Sequence, residues 1–152
     1  MNSEPTFLWH DYETFGANPR LDRPAQFAAL RTNVDLEPVA EPISWYCQPA
    51  TDVLPHPVAS LNTYIAPQEA LQKGRVEAEF ASAVRAEMME PGTCAAGYNS
   101  IRFDDEFSRN LFYRNLYDPY EREYKNGNSR WDLIDLARMC YACLLYTSDA
   151  AD

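Results

Sequence analysis

Two carboxylates stand two residues apart near the start of the chain, in an aromatic and apolar segment. Asp11 and Glu13 lie within Thr6–Glu13, a segment that Thr14-Phe-Gly16 closes, and this composition predicts a strand. Side chains two apart on a strand project from one face, with their Cα atoms about 7 Å apart. Such a pair is costly unless a divalent cation lies between the carboxylates, whose oxygens are good ligands for it. The alternative is a solvent-facing pair at the end of the strand.

A second acidic pair, Asp104 and Asp105, follows a short apolar segment. Residues Thr93–Tyr98 predict a buried strand, after which the chain turns and begins a helix with both aspartates in its first turn. Acidic residues are favoured there by the helix dipole alone, which is the ordinary explanation. Phe103 is expected to pack inward, so we expect Asp104 to be a metal ligand and Asp105 to be the helix-start residue. Together with the strand pair this gives three carboxylates, most of a two-metal site.

The elements that must position these carboxylates follow an α/β order. Further strands are predicted at Phe27–Thr32 and Val39–Gln48, and the short links favour an antiparallel meander. Proline-rich residues 49–67 predict a long connection. The spacing of apolar residues predicts three helices, at Pro67–Met89, Phe103–Leu116 and Leu133–Cys140.

Composition limits the classes of protein that the chain can belong to. Its 152 residues are 46% hydrophobic, with 13 Lys+Arg against 23 Asp+Glu and a net charge of −10. This length and composition indicate one folded domain and exclude general disorder. No apolar run is long enough for a membrane span, and there is no secretory leader pattern. Four cysteines are too few for a disulfide scaffold in a chain of this length, so a cytoplasmic location is expected.

The basic residues are concentrated in one part of this acidic chain. Residues 101–142 hold 7 of the 13 Lys+Arg together with many aromatic residues. Cations for phosphates and flat rings for unpaired bases are what a groove for single-stranded nucleic acid requires. An aromatic core with a solvated rim would produce the same composition, so both interpretations stay open.

We expect the last ten residues to have a different origin from the rest of the chain. Cys143–Asp152 resembles the in-frame translation of a common transposon-type sequencing adapter. We therefore expect 143–152 not to be native, residues 1–142 to be a partial domain, and the natural protein to continue beyond Ala142. The apparent Cys140-x-x-Cys143 motif is then accidental.

Two strings resemble the first and second motifs of the DEDD exonucleases, which have a ribonuclease-H-like fold. They are His10–Gly16 and Tyr98–Asp104. The closer similarity is to the bacterial exodeoxyribonuclease I family, and it covers essentially all of residues 6–142. Its other matching strings are Leu21–Ala29, Phe103–Glu106, Arg109–Asn110, Phe112–Asn115, Tyr117–Tyr120 and Asn128–Asp132. The resemblance implies an α/β exonuclease domain with a mixed sheet, an antiparallel meander followed by parallel strands, and flanking helices, truncated at its C-terminal end.

The resemblance also implies an activity and the residues that perform it. The family consists of 3′→5′ exonucleases that degrade single-stranded DNA to mononucleotides with two Mg²⁺ ions, with Mn²⁺ as a substitute. Asp11, Glu13 and Asp104 would hold the metal ions, and Glu13 would also contact the substrate. The single-strand contacts would be Arg109, Tyr120, Tyr124 and Arg138. A monomer is expected, with single-strand-binding protein as a partner of the family through other domains.

The sequence departs from the family pattern at two places. The general base of the family is the histidine of a His-x(4)-Asp motif, whose aspartate is the fourth carboxylate. Neither His10 nor His56 has this spacing, and both are predicted to be structural. We therefore expect little or no nuclease activity from these residues alone. The family also has a Thr-Gly-Ile sequence where this chain has Tyr64 in place of glycine.

Two other functions fit part of the evidence. Another DEDD enzyme, such as a proofreading subunit or an oligoribonuclease, would share the three carboxylates but not the strings Leu21–Ala29 and Asn128–Asp132. A non-catalytic single-strand-binding module would bind in a salt-sensitive way that is indifferent to Asp11 and Glu13. The net negative charge favours the nuclease, because a module that only binds nucleic acid is expected to be more basic.

Overall fold

The structure, a computed structural model, describes residues 4–149. Its strands are β1 Thr6–Thr14, β2 Pro24–Thr32, β3 Ile43–Tyr46, β4 Thr93–Gly97 and β5 Ser129–Asp132. Its helices are α1 Pro57–Thr63, α2 Pro67–Lys73, α3 Glu77–Met89, α4 Asp104–Arg114 and α5 Leu133–Asp149. Two short 3-10 turns, Glu121–Glu123 and Lys125–Gly127, link α4 to β5. In this part of the chain, no helix has the length and apolar character that crossing a membrane requires.

The strands form one mixed sheet in the order β3-β2-β1-β4-β5. Strands β1, β2 and β3 pair antiparallel, whereas β4 pairs parallel with both β1 and β5. The predicted arrangement, a meander followed by parallel strands with flanking helices, is therefore confirmed. Strand β1 lies at the centre of the sheet, and its pairing with β4 ends at Trp9↔Ala96, before the two carboxylates of β1.

The main core lies on one face of the sheet. Along β1, Leu8, His10 and Tyr12 are buried, whereas Asp11 is exposed and Glu13 half-buried on the other face. The buried side chains of β1 and β2 pack against those of α3 and α4. The helical members are Phe80, Ala81, Val84, Met88, Leu111 and Phe112. The alternation of faces thus agrees with the strand that the sequence predicts.

The long helix predicted from Pro67 to Met89 is wrong in its continuity, because Gly74 divides it. The chain is extended at Gly74, where a Cβ would lie 2.3 Å from the carbonyl oxygen of Ala70. The next residue, Arg75, donates from its backbone N–H to Tyr46 and accepts one from Gln48. These bonds extend the edge of β3, and only a residue without a side chain fits the break.

Three further segments differ from the sequence prediction. The predicted strand Val39–Gln48 is reduced to β3, and helix α1 stands within the predicted connection 49–67. Strand β5 was not predicted as an element. It is held by the buried Asn128 side chain, whose Oδ1 accepts from the Thr93 N–H while its amide donates to the Met88 carbonyl. The expected C-terminal helix is present as α5, and residues 150–152 of the adapter-like tail lie outside the described residues.

Candidate metal centre and nucleic-acid interface

Asp104 is fixed to β1 by the backbone N–H of Tyr12, the residue that separates Asp11 from Glu13. Beyond the end of the β1–β4 pairing, the backbone N–H of Tyr12 donates to Asp104 Oδ1 over 2.9 Å. This bond satisfies an N–H that β4 no longer reaches, and Tyr12 lies between Asp11 and Glu13 in the sequence. The Asp104 carboxylate is 2% exposed. The structure therefore brings the three predicted ligands to one end of the central strand.

The negative charge of Asp11 influences both of the other carboxylates. Burial, reinforced by the negative charge of Asp11, raises the pKa of Asp104 to about 7. Burial and Asp11 also raise the pKa of Glu13. Like charges with few compensating partners have this effect, and a cation between them would reverse it. Among the described residues, however, no three His, Cys, Asp or Glu side chains already form a cluster that could hold a metal ion.

Asp105 lies in the first turn of α4, as expected, but it is much more than a helix-start residue. It is 2% exposed and forms ion pairs with Arg122, which is also buried, and with Arg130, whose Nη1 lies 2.8 Å from Asp105 Oδ2. Burial alone would raise the pKa of Asp105, but the two guanidinium groups hold it below its ordinary value. This network connects the beginning of α4 to the first 3-10 turn and to β5.

Asp132, at the end of β5, organises the turn that leads to Asp104. Its carboxylate accepts backbone hydrogen bonds from Asn99, Ile101 and Ile134, at 2.8–3.1 Å. Asp132 therefore fixes both the turn after β4 and the first turn of α5. In the sequence, Asp132 stands out only as part of the string Asn128–Asp132 that matches the family. Its position directly before the predicted helix Leu133–Cys140 was a capping signal that could have identified it.

A cavity of about 410 Å³ opens beside Glu13. Helix α1 lines it through Val58, Asn62 and Thr63, and Phe103 also lines it. His56 also lines the cavity, but its Nδ1 accepts from the Val58 N–H, 3.3 Å away, and so caps α1. This contact agrees with the prediction that His56 is structural.

His10 lies on the buried face of β1, opposite Asp11 and Glu13. Neither ring nitrogen has a hydrogen-bond partner among the described residues. Burial and the positive charge of Arg122 lower its pKa to about 4. The ring is therefore neutral at pH 7 and packs edge-on against Phe27. This placement agrees with the prediction that His10 is a structural residue.

Acidification is expected to destabilise the protein through His10. In the unfolded chain this histidine takes up a proton near pH 6.5, whereas in the folded state its pKa is about 4. Its contribution is thus complete above pH 6.5 and is lost as the pH falls toward 4. The difference corresponds to at most about 3 kcal/mol. Chemical denaturation at pH 7 and pH 4.5 measures the loss.

The matched variants are His10→Gln and His56→Gln, which remove one buried and one exposed histidine. The buried replacement should reduce the loss of stability between pH 7 and pH 4.5 by more than the exposed one, which removes only the acceptor of the α1 cap. An equal loss in His10→Gln and wild type would contradict the assignment of the effect to His10.

The residues predicted to contact single-stranded DNA lie at the surface, on α4, on α5 and in the segment after α4. They differ in whether their side chains already have partners in the protein. Arg109 forms ion pairs with Glu106 and Glu123 and packs over the Tyr120 ring, 5.0 Å from its centroid. Tyr120 and Tyr124 are both more than half exposed. Arg138 is exposed on α5 and pairs with Asp135, one turn earlier. The two tyrosines are thus available for stacking, whereas Arg109 already has two acidic partners.

Tyr64 stands at the position where the resembling family has glycine. Its backbone has φ +58° at the C-cap of α1, a left-handed conformation that favours glycine. The residue is 91% exposed and does not line the cavity beside Glu13. The tyrosine therefore keeps the backbone conformation of a glycine without filling the cavity.

This arrangement defines a class of protein. A mixed five-stranded sheet with flanking helices and acidic residues at the end of its central strand is the ribonuclease-H-like exonuclease fold. Residues 8–151 match the family model described as Exonuclease, and the chain belongs to this family.

The relatives of this chain narrow the class further. Over 139 residues it is 56% identical to exodeoxyribonuclease I of Escherichia coli (strain K12), a match that covers 91% of this chain and 29% of that protein. Among solved structures, the ExoI/SSB-Ct complex has a TM-score of 0.91 and 56% identity, covering 92% of this chain and 31% of that one. The zinc-bound form of the E. coli ExoI–ssDNA complex has the same TM-score and identity, covering 92% of this chain and 30% of that one. The chain therefore spans about a third or less of the length of these relatives.

Proposed function

We propose that this chain is the carboxylate-bearing part of a 3′→5′ exonuclease that degrades single-stranded DNA to mononucleotides. The observation that carries the proposal is the bond from Tyr12 N–H to Asp104, which joins that carboxylate to the residue that separates Asp11 from Glu13 in the sequence. The 56% identity to exodeoxyribonuclease I supports the same function over other DEDD enzymes. A metal-dependent nuclease gives a chemical reason for three carboxylates at one end of the central strand, whereas a module that only binds nucleic acid does not.

The donor set fits hard divalent cations. Asp104 is fixed by Tyr12, while Asp11 is exposed and Glu13 half-buried on the same face of β1, so both can turn toward a shared ion. Mg²⁺ is the proposed cofactor, bound as two ions, and Mn²⁺ would occupy the same oxygen ligands. When bound, such ions activate water and stabilise the leaving 3′ oxygen. The raised pKa values of Asp104 and Glu13 support this assignment, since a cation would relieve the repulsion.

The other proposed residues contact the single-stranded DNA substrate. Glu13 faces the cavity that would receive the 3′-terminal nucleotide. Tyr120 and Tyr124 present exposed rings on which unpaired bases would stack. Arg109 and Arg138 complete the proposed strand contacts. Single-strand-binding protein is proposed as a partner of the whole protein, which we place in the cytoplasm as a monomer.

The proposal includes a low activity for the 152-residue chain itself. His10 is buried behind the site and His56 caps α1, so neither is proposed as the general base. Neither stands in a His-x(4)-Asp motif, which in the family also provides the fourth carboxylate. The chain is therefore expected to bind a DNA end and divalent ions but to release few mononucleotides.

The experiment compares linear and circular single-stranded oligonucleotides of equal length by fluorescence anisotropy in the presence of Ca²⁺. An exonuclease site recognises a free 3′ end, so the linear form should bind more tightly. The double variant Asp11→Asn, Glu13→Gln should remove this preference without abolishing salt-sensitive binding. Asp35→Asn, an exposed carboxylate change in the β2–β3 turn, is the control and should behave as wild type.

Three outcomes would contradict parts of the proposal. Equal binding of both DNA forms, unaffected by the double variant, would indicate a module that only binds single strands. Tighter binding of an oligoribonucleotide than of its DNA counterpart would favour an oligoribonuclease. Mg²⁺-dependent release of mononucleotides by pure wild-type chain, absent from the double variant, would contradict the expected inactivity while supporting the site.

A further inference from the structure

A second polar cleft, of about 340 Å³, lies between the loop before β2 and the outer side of α4. The loop contributes Arg20, and α4 contributes Arg109 and Tyr113. Tyr120 closes the cleft from the turn after α4. Tyr113 and Tyr120 are 71% and 53% exposed, so the cleft offers two ring surfaces and two guanidinium groups.

The charge of Arg109 is largely neutralised within the cleft. Its Nε and Nη2 donate to the two oxygens of Glu123, at 2.8 and 3.0 Å, and its Nη1 donates to Glu106. Every nitrogen of this guanidinium therefore already has a carboxylate partner. Glu106 itself lines the cleft, so an incoming phosphate meets negative charge beside Arg109. An anion requires another cation there.

Arg20 is in a position to provide that cation. Within residues 4–149, its side chain is exposed and takes part in none of the ion pairs. Its backbone is nevertheless held, because its N–H donates to Asn18 Oδ1 over 3.0 Å. Asn18 and Asp22 close the loop with reciprocal bonds of 2.8 Å. A fixed loop thus presents an uncompensated guanidinium at the entrance of the cleft.

We propose that Arg20 binds a phosphodiester group of single-stranded nucleic acid in this cleft, with Tyr113 and Tyr120 as stacking surfaces for the adjacent bases. This inference rests on the proposed function and adds to it two residues, Arg20 and Tyr113, that the sequence analysis did not assign. It also assigns different roles to the two arginines that line the cleft. Arg20 supplies the attraction to phosphate, whereas Arg109 positions the Tyr120 ring.

The test measures binding of a dT16 oligonucleotide as a function of KCl concentration, in EDTA so that no cleavage occurs. One lost phosphate contact reduces the slope of log K against log[KCl] by about 0.7 for a single strand. Arg20→Ala should show this reduction, and Arg20→Lys should retain the wild-type slope. Tyr113→Leu should weaken binding by about fivefold or more while leaving the slope unchanged. Lys73→Ala, an exposed charge change on α2, is the control.

Each outcome bears on the inference. A wild-type slope in Arg20→Ala, or the same reduced slope in Lys73→Ala, would overturn the role of Arg20. If wild type also keeps its preference for linear over circular DNA, that failure leaves the proposed function intact. No binding of dT16 by folded wild-type chain would overturn both.

Discussion

Replacing Asp105 with alanine is expected to lower the free energy of unfolding by about 3–5 kcal/mol. The carboxylate is buried between Arg122 and Arg130, and the Arg122 side chain is itself 1% exposed. In the described structure, Arg122 bonds to Asp105 through Nη2, and its Nε and Nη1 have no hydrogen-bond partner. Removing Asp105 therefore leaves a buried guanidinium without its counterion, whereas Arg130 retains Glu123. Urea denaturation at pH 7 measures the loss.

The control is Asp135→Ala, which removes the carboxylate of an exposed Asp–Arg pair on α5. Exposed pairs contribute little, so its effect should stay within about 0.5 kcal/mol. The double variant Asp105→Leu, Arg122→Met should be more stable than Asp105→Ala, because it removes both buried charges and fills the space. A double variant less stable than Asp105→Ala would contradict the uncompensated charge as the cause.

The sequence could predict those features of the site that depend on residues close together in the chain. Asp11 and Glu13 share a face because strand side chains alternate, and the burial of Leu8, His10 and Tyr12 shows that alternation. The choice of Asp104 rather than Asp105 as a ligand rested on its place after a short strand and on the expected inward packing of Phe103, and it stays a prediction. The antiparallel meander followed from the short links between its strands, whereas the parallel strands were expected only from the family resemblance.

The remainder depends on contacts between residues distant in the sequence. Asp105 and Arg122 are 17 residues apart, and nothing in the local pattern distinguishes this aspartate from an ordinary helix-start residue. From the sequence, Arg109 is expected to be a free basic residue of a binding groove, whereas in the structure it is paired with Glu123. The break at Gly74 has the same origin, because it follows from the bridge between Arg75 and the strand segment around Cys47. Tertiary structure thus determines which charges are available to a ligand.

Asp104→Asn is expected to remove the stabilisation of the protein by divalent cations while leaving the metal-free protein at least as stable. The asparagine Oδ1 can still accept from Tyr12 N–H, so the local bond is kept. Its neutral side chain also ends the repulsion by Asp11 that contributes to the raised pKa of Asp104. In EDTA, the variant should therefore match or exceed wild type in its free energy of unfolding.

Wild type and Asp104→Asn should differ in their free energy of unfolding when Mn²⁺ is added at pH 8. At this pH a carboxyl group with a pKa of about 7 is mostly ionised. An ion present at 100 times its dissociation constant stabilises a folded protein by about 2.7 kcal/mol. Wild type and the control Asp35→Asn should gain this amount, and Asp104→Asn should gain almost none. An equal gain in all three proteins would place the bound ion elsewhere, whereas a variant that is much less stable in EDTA would show that Asp104 serves the fold. The expected pattern, lower stability in exchange for cation binding, is that of a functional site built from like charges.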